Sequence, residues 1–135
     1  MKRYLKEFEK LVGIMAKLRA KNGCKWDKEQ THKSLIKYLF EESSELKTAI
    51  AKKDFKNMEE ELGDVLLQVI FHAQIAQENK NFDIADIIST LNKKLIRRHP
   101  HIFGNYKVKT VKDIEVMWAN IKAKEKKQLR ITSDE

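Results

Sequence analysis

Over residues 57–79 the apolar side chains Leu62, Val65, Leu66, Leu67, Val69, Ile70, Phe71 and Ala73 cover most of the circumference of a helix with 3.6 residues per turn. A helix apolar on so many sides is stable only when other elements wrap it. Four of its polar residues, Glu61, Asp64, Gln68 and His72, follow one another at steps of three or four and form a single narrow strip. Turning that strip to bulk water would expose leucines. The segment therefore belongs at the centre of its fold, with its acids facing something other than open solvent.

The surrounding chain has to be helical as well. One proline and four glycines in 135 residues leave few helix breakers among abundant Lys, Glu, Leu, Ile and Ala. Tyr4, Leu5, Phe8, Leu11, Val12, Met15 and Leu18 build one apolar stripe that ends near Asn22 and Gly23. A second helix is predicted over 31–52, carrying Leu35, Tyr38, Leu39, Leu46, Ala49 and Ile50, with residues 27–31 supplying side chains for its start. Asp83 caps a fourth, with Ile84, Ile87, Ile88, Leu91 and Leu95 inward, which stops at His99-Pro100 because the residue before proline avoids the helical region. Residues 101–109 read as a connector. Thr110 and Asp113 open a last helix whose inner face is Val111, Ile114, Met117, Trp118 and Ile121. The expectation is an all-α bundle of about five helices with a four-helix core, one domain over 1–125, and a basic tail over 126–135 that frays. No Gly-rich phosphate loop is present, which argues against P-loop and Rossmann chemistry.

The formal charge of +8 and a pI near 9.5 favour phosphate-bearing partners, whether nucleotides, nucleic acid or anionic lipid, without choosing among them. Much of the excess lies in 93–98 and 122–130. Residues 1–10 alternate charged and apolar side chains, and no apolar run approaches membrane-spanning length, so a cytoplasmic protein without a membrane partner is expected. Cys24 stands alone and reads as a small reduced residue in a turn.

The acids carry the chemistry. Glu42 and Glu45, like Glu61 and Asp64, are three apart, so each pair projects two carboxylates in nearly the same direction. Glu42 follows Leu39 by three and precedes Leu46 by four, inside an apolar stripe. If the two helices are antiparallel neighbours, four carboxylates converge; they repel unless protonated or neutralised, and a divalent ion with a taste for hard oxygen resolves the conflict. The alternative is that these are ordinary solvated helix charges, since Glu is a good helix former.

These residues, together with Gly23-Cys24-Lys25-Trp26-Asp27-Lys28-Glu29-Gln30-Thr31, Glu41-Glu42-Ser43-Ser44-Glu45, Glu61-Leu62-Gly63-Asp64 with Leu66, Leu67 and Gln68, and Lys94-Leu95-Ile96-Arg97-Arg98-His99-Pro100-His101-Ile102-Phe103-Gly104, make a sequence that resembles the MazG nucleotide pyrophosphohydrolases over nearly its whole length. Lys25 departs from the family's usual proline after the cysteine. The resemblance implies that Glu42, Glu45, Glu61 and Asp64 hold Mg2+, with Mn2+ as a substitute. It further implies hydrolysis of a nucleoside triphosphate to a monophosphate and pyrophosphate, and a homodimer or higher homo-oligomer. A sister all-helical hydrolase acting on dUTP, dCTP or phosphoribosyl-ATP would share the metal site.

Around that centre, Glu41 is a candidate general base or ligand to a second ion, against a surface acid on the helix flank. Glu42 belongs to the catalytic group through the metal. Lys94, Arg97 and Arg98 share a face, Arg98 on the line of Leu91, and are candidate clamps for the β and γ phosphates; their other reading is cations favouring a helix C-terminus. Trp26 could stack on a base or simply pack, and Lys28 could meet phosphate. Trp118 on its apolar stripe reads as core, and His72, with no second His or Cys close in sequence, as a hydrogen-bonded core histidine. A basic nucleic-acid-binding module explains the pI but leaves Glu42 and the acid strip without a reason, so a nucleic-acid partner is not expected.

Overall fold

Helix formers dominate the chain, and helices are what they make. The computed structural model describes residues 1–133, and among them there are seven helices and no strand: α1 (Arg3–Leu18), α2 (Lys25–Glu29), α3 (Ile36–Ala51), α4 (Phe55–Glu78), α5 (Ile84–Arg97), α6 (Pro100–Phe103) and α7 (Val111–Ser133). None is long and apolar enough to cross a membrane. The chain divides into two compact units, Met1–Ile87 and Ile88–Glu135.

In the first unit, α3 and α4 pack along each other, and α1 packs on α4. The apolar circumference of α4 supplies Ile70, Phe71 and Ile75 to a core shared with Met15 and Leu35, ringed by Phe8, Leu11, Val12, Tyr38, Leu67 and Ile84. Only three residues, 52–54, separate α3 from α4. Lys53 takes φ 56, the left-handed conformation more usual for glycine, and Asp54 caps α4 by accepting the amide of Asn57 at 3.2 Å. So short a link makes the two helices antiparallel.

Two short helices were not foreseen. Residues 25–29, expected as part of a loop, form α2, which is too brief for an apolar period to register. α3 starts at Ile36 instead of Thr31, because Thr31 and Ser34 first exchange side-chain bonds to each other's amides (2.9 and 3.1 Å) in a tight turn. In the second unit Pro100 stops α5 as expected and also opens α6 from its first position, where a missing N–H costs nothing; the expected connector thus begins as a helical turn. Both predicted caps form: Asp83 with Asp86 (3.0 and 2.9 Å) before α5, Thr110 with Asp113 (3.1 Å in both directions) before α7. α7 then continues to Ser133 across the segment expected to fray, which is rich in the strong helix formers Ala, Lys, Glu, Gln and Arg; residues 134 and 135 lie outside the described residues.

Candidate metal centre

The antiparallel pairing of α3 and α4 brings Glu42 and Glu45 against Glu61 and Asp64. One carboxylate oxygen from each can be chosen so that all four lie within 4.8 Å of one another. Glu42, Glu61 and Asp64 are half-buried and Glu45 is exposed. An Oε2 of Glu42 and an Oε2 of Glu61 are buried with no hydrogen-bond partner. Leaving such an oxygen unsatisfied is unfavourable, and four converging carboxylates add mutual repulsion. Burial pushes the carboxyl of Glu42 up to about 7, helped by the charges of Glu45, Asp64 and Glu61. Glu61 is raised for the same reasons, burial first and then Glu45 and Asp64. An all-oxygen, anionic donor set with two orphaned oxygens fits a hard divalent cation of the magnesium or manganese kind.

The strip continues beyond the acids as predicted. Gln68 is buried and its Oε1 lacks a partner. His72 is half-buried, but a second histidine does reach it: His32, distant in sequence, stacks on it with the two Nδ1 atoms 2.8 Å apart. One Nδ1 must donate and the other accept, so the contact holds a single proton. Burial and the neighbouring His32 hold His72 below its ordinary value. Glu41, next to Glu42 in the chain, is exposed and is not among the four gathered acids.

Trp26 sits on α2, edge-on to Tyr38 (5.7 Å between centroids) and to Phe71 (6.3 Å), with 48% of its surface still exposed. It packs, and it also leaves half a ring system open. Lys28 donates to the carbonyl of Lys21 at 2.8 Å, a protein partner that the sequence reading had not given it. A residue passed over in the sequence, Arg19, does more. Its Nη1 donates to the carbonyls of Asp27 and of Gln30, and its Nε and Nη2 to Glu78 at 2.9 and 3.0 Å. Arg19 lies four residues after the buried Met15, and a cation that prolongs an apolar stripe was the available signal.

In the second unit Arg97 and Arg98 share one carboxylate. Arg98 reaches Glu125 through Nε and Nη2 at 3.2 Å each, Arg97 at 3.2 and 3.4 Å. This acid lies 27 residues from Arg98 in sequence. Hydrogen bonds from Arg98 and then Arg97 hold Glu125 down at about 2. Lys94 is half-buried. Leu91, whose line Arg98 continues, is exposed, so that line does not run into a core. Trp118 is half-buried, donates to the carbonyl of Arg98 at 2.7 Å and meets His99 edge-on, in keeping with its structural reading.

Residues 30–103, more than half of the chain and all four acids, match the model of the MazG nucleotide pyrophosphohydrolase domain. The chain belongs to the MazG family. A MazG protein of Thermotoga maritima named as a nucleoside triphosphate pyrophosphohydrolase/pyrophosphatase is 58% identical over 88% of this chain and 45% of its own length. The nucleoside triphosphate pyrophosphohydrolase of Escherichia coli strain K12 is 42% identical over 92% of this chain and 48% of its own. The chain thus spans about half the length of these MazG relatives. The crystal structure of a mazG-related protein from Thermotoga maritima superposes with a TM-score of 0.71 at 29% identity, covering 85% of this chain and 98% of that one. It agrees with an all-helical MazG fold.

Proposed function

We propose that this chain hydrolyses nucleoside triphosphates to the monophosphate and pyrophosphate, using Mg2+ or Mn2+ held by Glu42, Glu45, Glu61 and Asp64. The observation that carries the reading is the gathering of four carboxylates within 4.8 Å with two buried oxygens unpartnered. When bound, the ion neutralises phosphate charge and lowers the pKa of a water nucleophile. Glu41 would serve as general base toward the attacking water or as a ligand to a second ion; its exposure and place beside Glu42 on α3 support the role. Trp26 offers an open aromatic face to a base, with Lys28 near it in sequence for phosphate. Lys94, Arg97 and Arg98 bind the β and γ phosphates. Each guanidinium carries five N–H donors, so two of them sharing one carboxylate keep donors for a ligand. The reaction cleaves the bond between the α phosphorus and the bridging oxygen to the β phosphate, and the working form is a cytoplasmic homodimer or higher homo-oligomer.

A panel of nucleoside triphosphates incubated with magnesium is expected to give monophosphate and pyrophosphate in equal amounts, and Glu61→Gln to abolish turnover while the chelator-treated variant melts no lower than wild type. The variant keeps the shape, relieves repulsion and removes a ligand. Release of inorganic phosphate and nucleoside diphosphate instead would refute the reaction assigned. A variant that melts far below wild type in chelator but still turns over would refute the metal site.

A further inference from the structure

A helix of five residues has no stability of its own, and α2 lacks a side-chain cap at its N-terminus. Besides the packing of Trp26 and the bond from Lys28 to Lys21, Arg19 fastens its end. The guanidinium side chain is only 8% exposed and is committed in three directions. Nη1 donates to the carbonyls of Asp27 and Gln30 at the end of α2, the first of which also accepts the amide of Gln30. Nε and Nη2 grip both oxygens of Glu78 on α4, and Gln74 steadies that carboxylate at 3.1 Å. The guanidinium carbon lies 5.7 Å from the centre of the Phe71 ring, the same ring that Trp26 meets edge-on.

We infer that Arg19 is a positioning residue for nucleotide recognition: by fastening the end of α2 to α4 it fixes the angle at which Trp26 presents its open face. The inference rests on the proposed contact of Trp26 with the base. Holding two helices together does not by itself need a buried ion pair, since an apolar pair of similar volume serves as well or better. The fork geometry is what matters. Only a planar guanidinium serves a bidentate carboxylate and two backbone carbonyls at once; the ammonium of a lysine reaches the carboxylate and loses the carbonyls. With those carbonyls unfastened, α2 pivots on Cys24 and Trp26 loses its fixed angle, while α3 and the acids of the hairpin keep their places.

The test compares Trp26→Ala, Arg19→Lys and the double variant Arg19→Met with Glu78→Met, which removes the ion pair without leaving a lone charge and guards against loss of the fold. Steady-state kinetics with ATP and dCTP are set beside inhibition by inorganic tripolyphosphate, which has no base. All three variants are expected to raise KM by about tenfold, the scale of one lost base–aromatic stack. In each, kcat, the magnesium dependence and the tripolyphosphate inhibition constant stay near wild type. In a Trp118→Phe background, Arg19→Lys is expected to shift the emission of Trp26 to longer wavelength. If Trp26→Ala leaves KM unchanged, the base-contact reading is wrong and the inference falls with it. If Trp26→Ala raises KM but Arg19→Lys does not, the reading stands and the role of Arg19 is overturned. A loss in Arg19→Lys shared equally by kcat and tripolyphosphate affinity also overturns it, because that is the mark of general loosening.

Discussion

Glu42 combines burial with three acidic neighbours, and the two effects act in the same direction on its proton. A carboxyl raised from 4.5 to about 7 on folding stabilises the metal-free protein fully below pH 4.5, and that contribution is lost as pH rises through about 7. His72 works oppositely: its lowered pKa gives stability that is present above 6.5 and lost as the pH falls. The two windows overlap, so the wild-type curve alone is ambiguous and the difference between wild type and Glu42→Gln isolates the carboxyl. In chelator, that difference is expected to move in favour of Glu42→Gln as pH rises from 4.5 to 7, and saturating magnesium is expected to reverse it in favour of wild type. Melting curves across that range decide the matter, and a difference that does not change with pH removes Glu42 from the repelling cluster. At this scale the acids were legible because their order is local, two i, i+3 pairs on neighbouring helices. The pairs His32–His72, Arg19–Glu78 and Arg98–Glu125 join residues 40, 59 and 27 apart, and no periodicity within a helix announces them.

Among the elements, the contacts of α7 with the end of α5 define what the arginines are free to do. Because Arg97 also holds Glu125, Arg98→Ala leaves the carboxylate with a partner, so the melting temperature is expected to fall only slightly. If Arg98 also binds phosphate, the same variant raises KM for nucleotide roughly tenfold, the size of one charged hydrogen bond. Replacing both arginines strands Glu125 and is expected to lower the melting temperature further. Arg98→Ala with unchanged KM and a large drop in melting temperature assigns this residue to structure alone. The long helices α1, α3, α4, α5 and α7 could be read from apolar spacing and caps. α2 and α6 could not, since five and four residues complete barely one turn, and the end of α2 is fastened by a guanidinium from the C-cap of α1.

For the molecule as a whole, the apolar coat of α4 is only partly covered. Leu62, Leu66 and Val69 remain 46%, 40% and 39% exposed, and Leu39 on α3 is 41% exposed. A second copy would cover this face in the homo-oligomer proposed above, and light scattering at micromolar concentration is expected to give at least a dimer, with Leu66→Glu shifting the population toward monomer. A monodisperse wild-type monomer would count against it. The hairpin has a further consequence, and it concerns the order of events as the chain folds. All four acids lie between positions 42 and 64, joined through a link of three residues, so closing one short loop brings them together, whereas the contact of Arg19 with Glu78 spans 59 residues. A divalent cation that binds the four acids is therefore expected to speed the closing of the hairpin as well as to stabilise the finished protein, and refolding rates with and without magnesium check it.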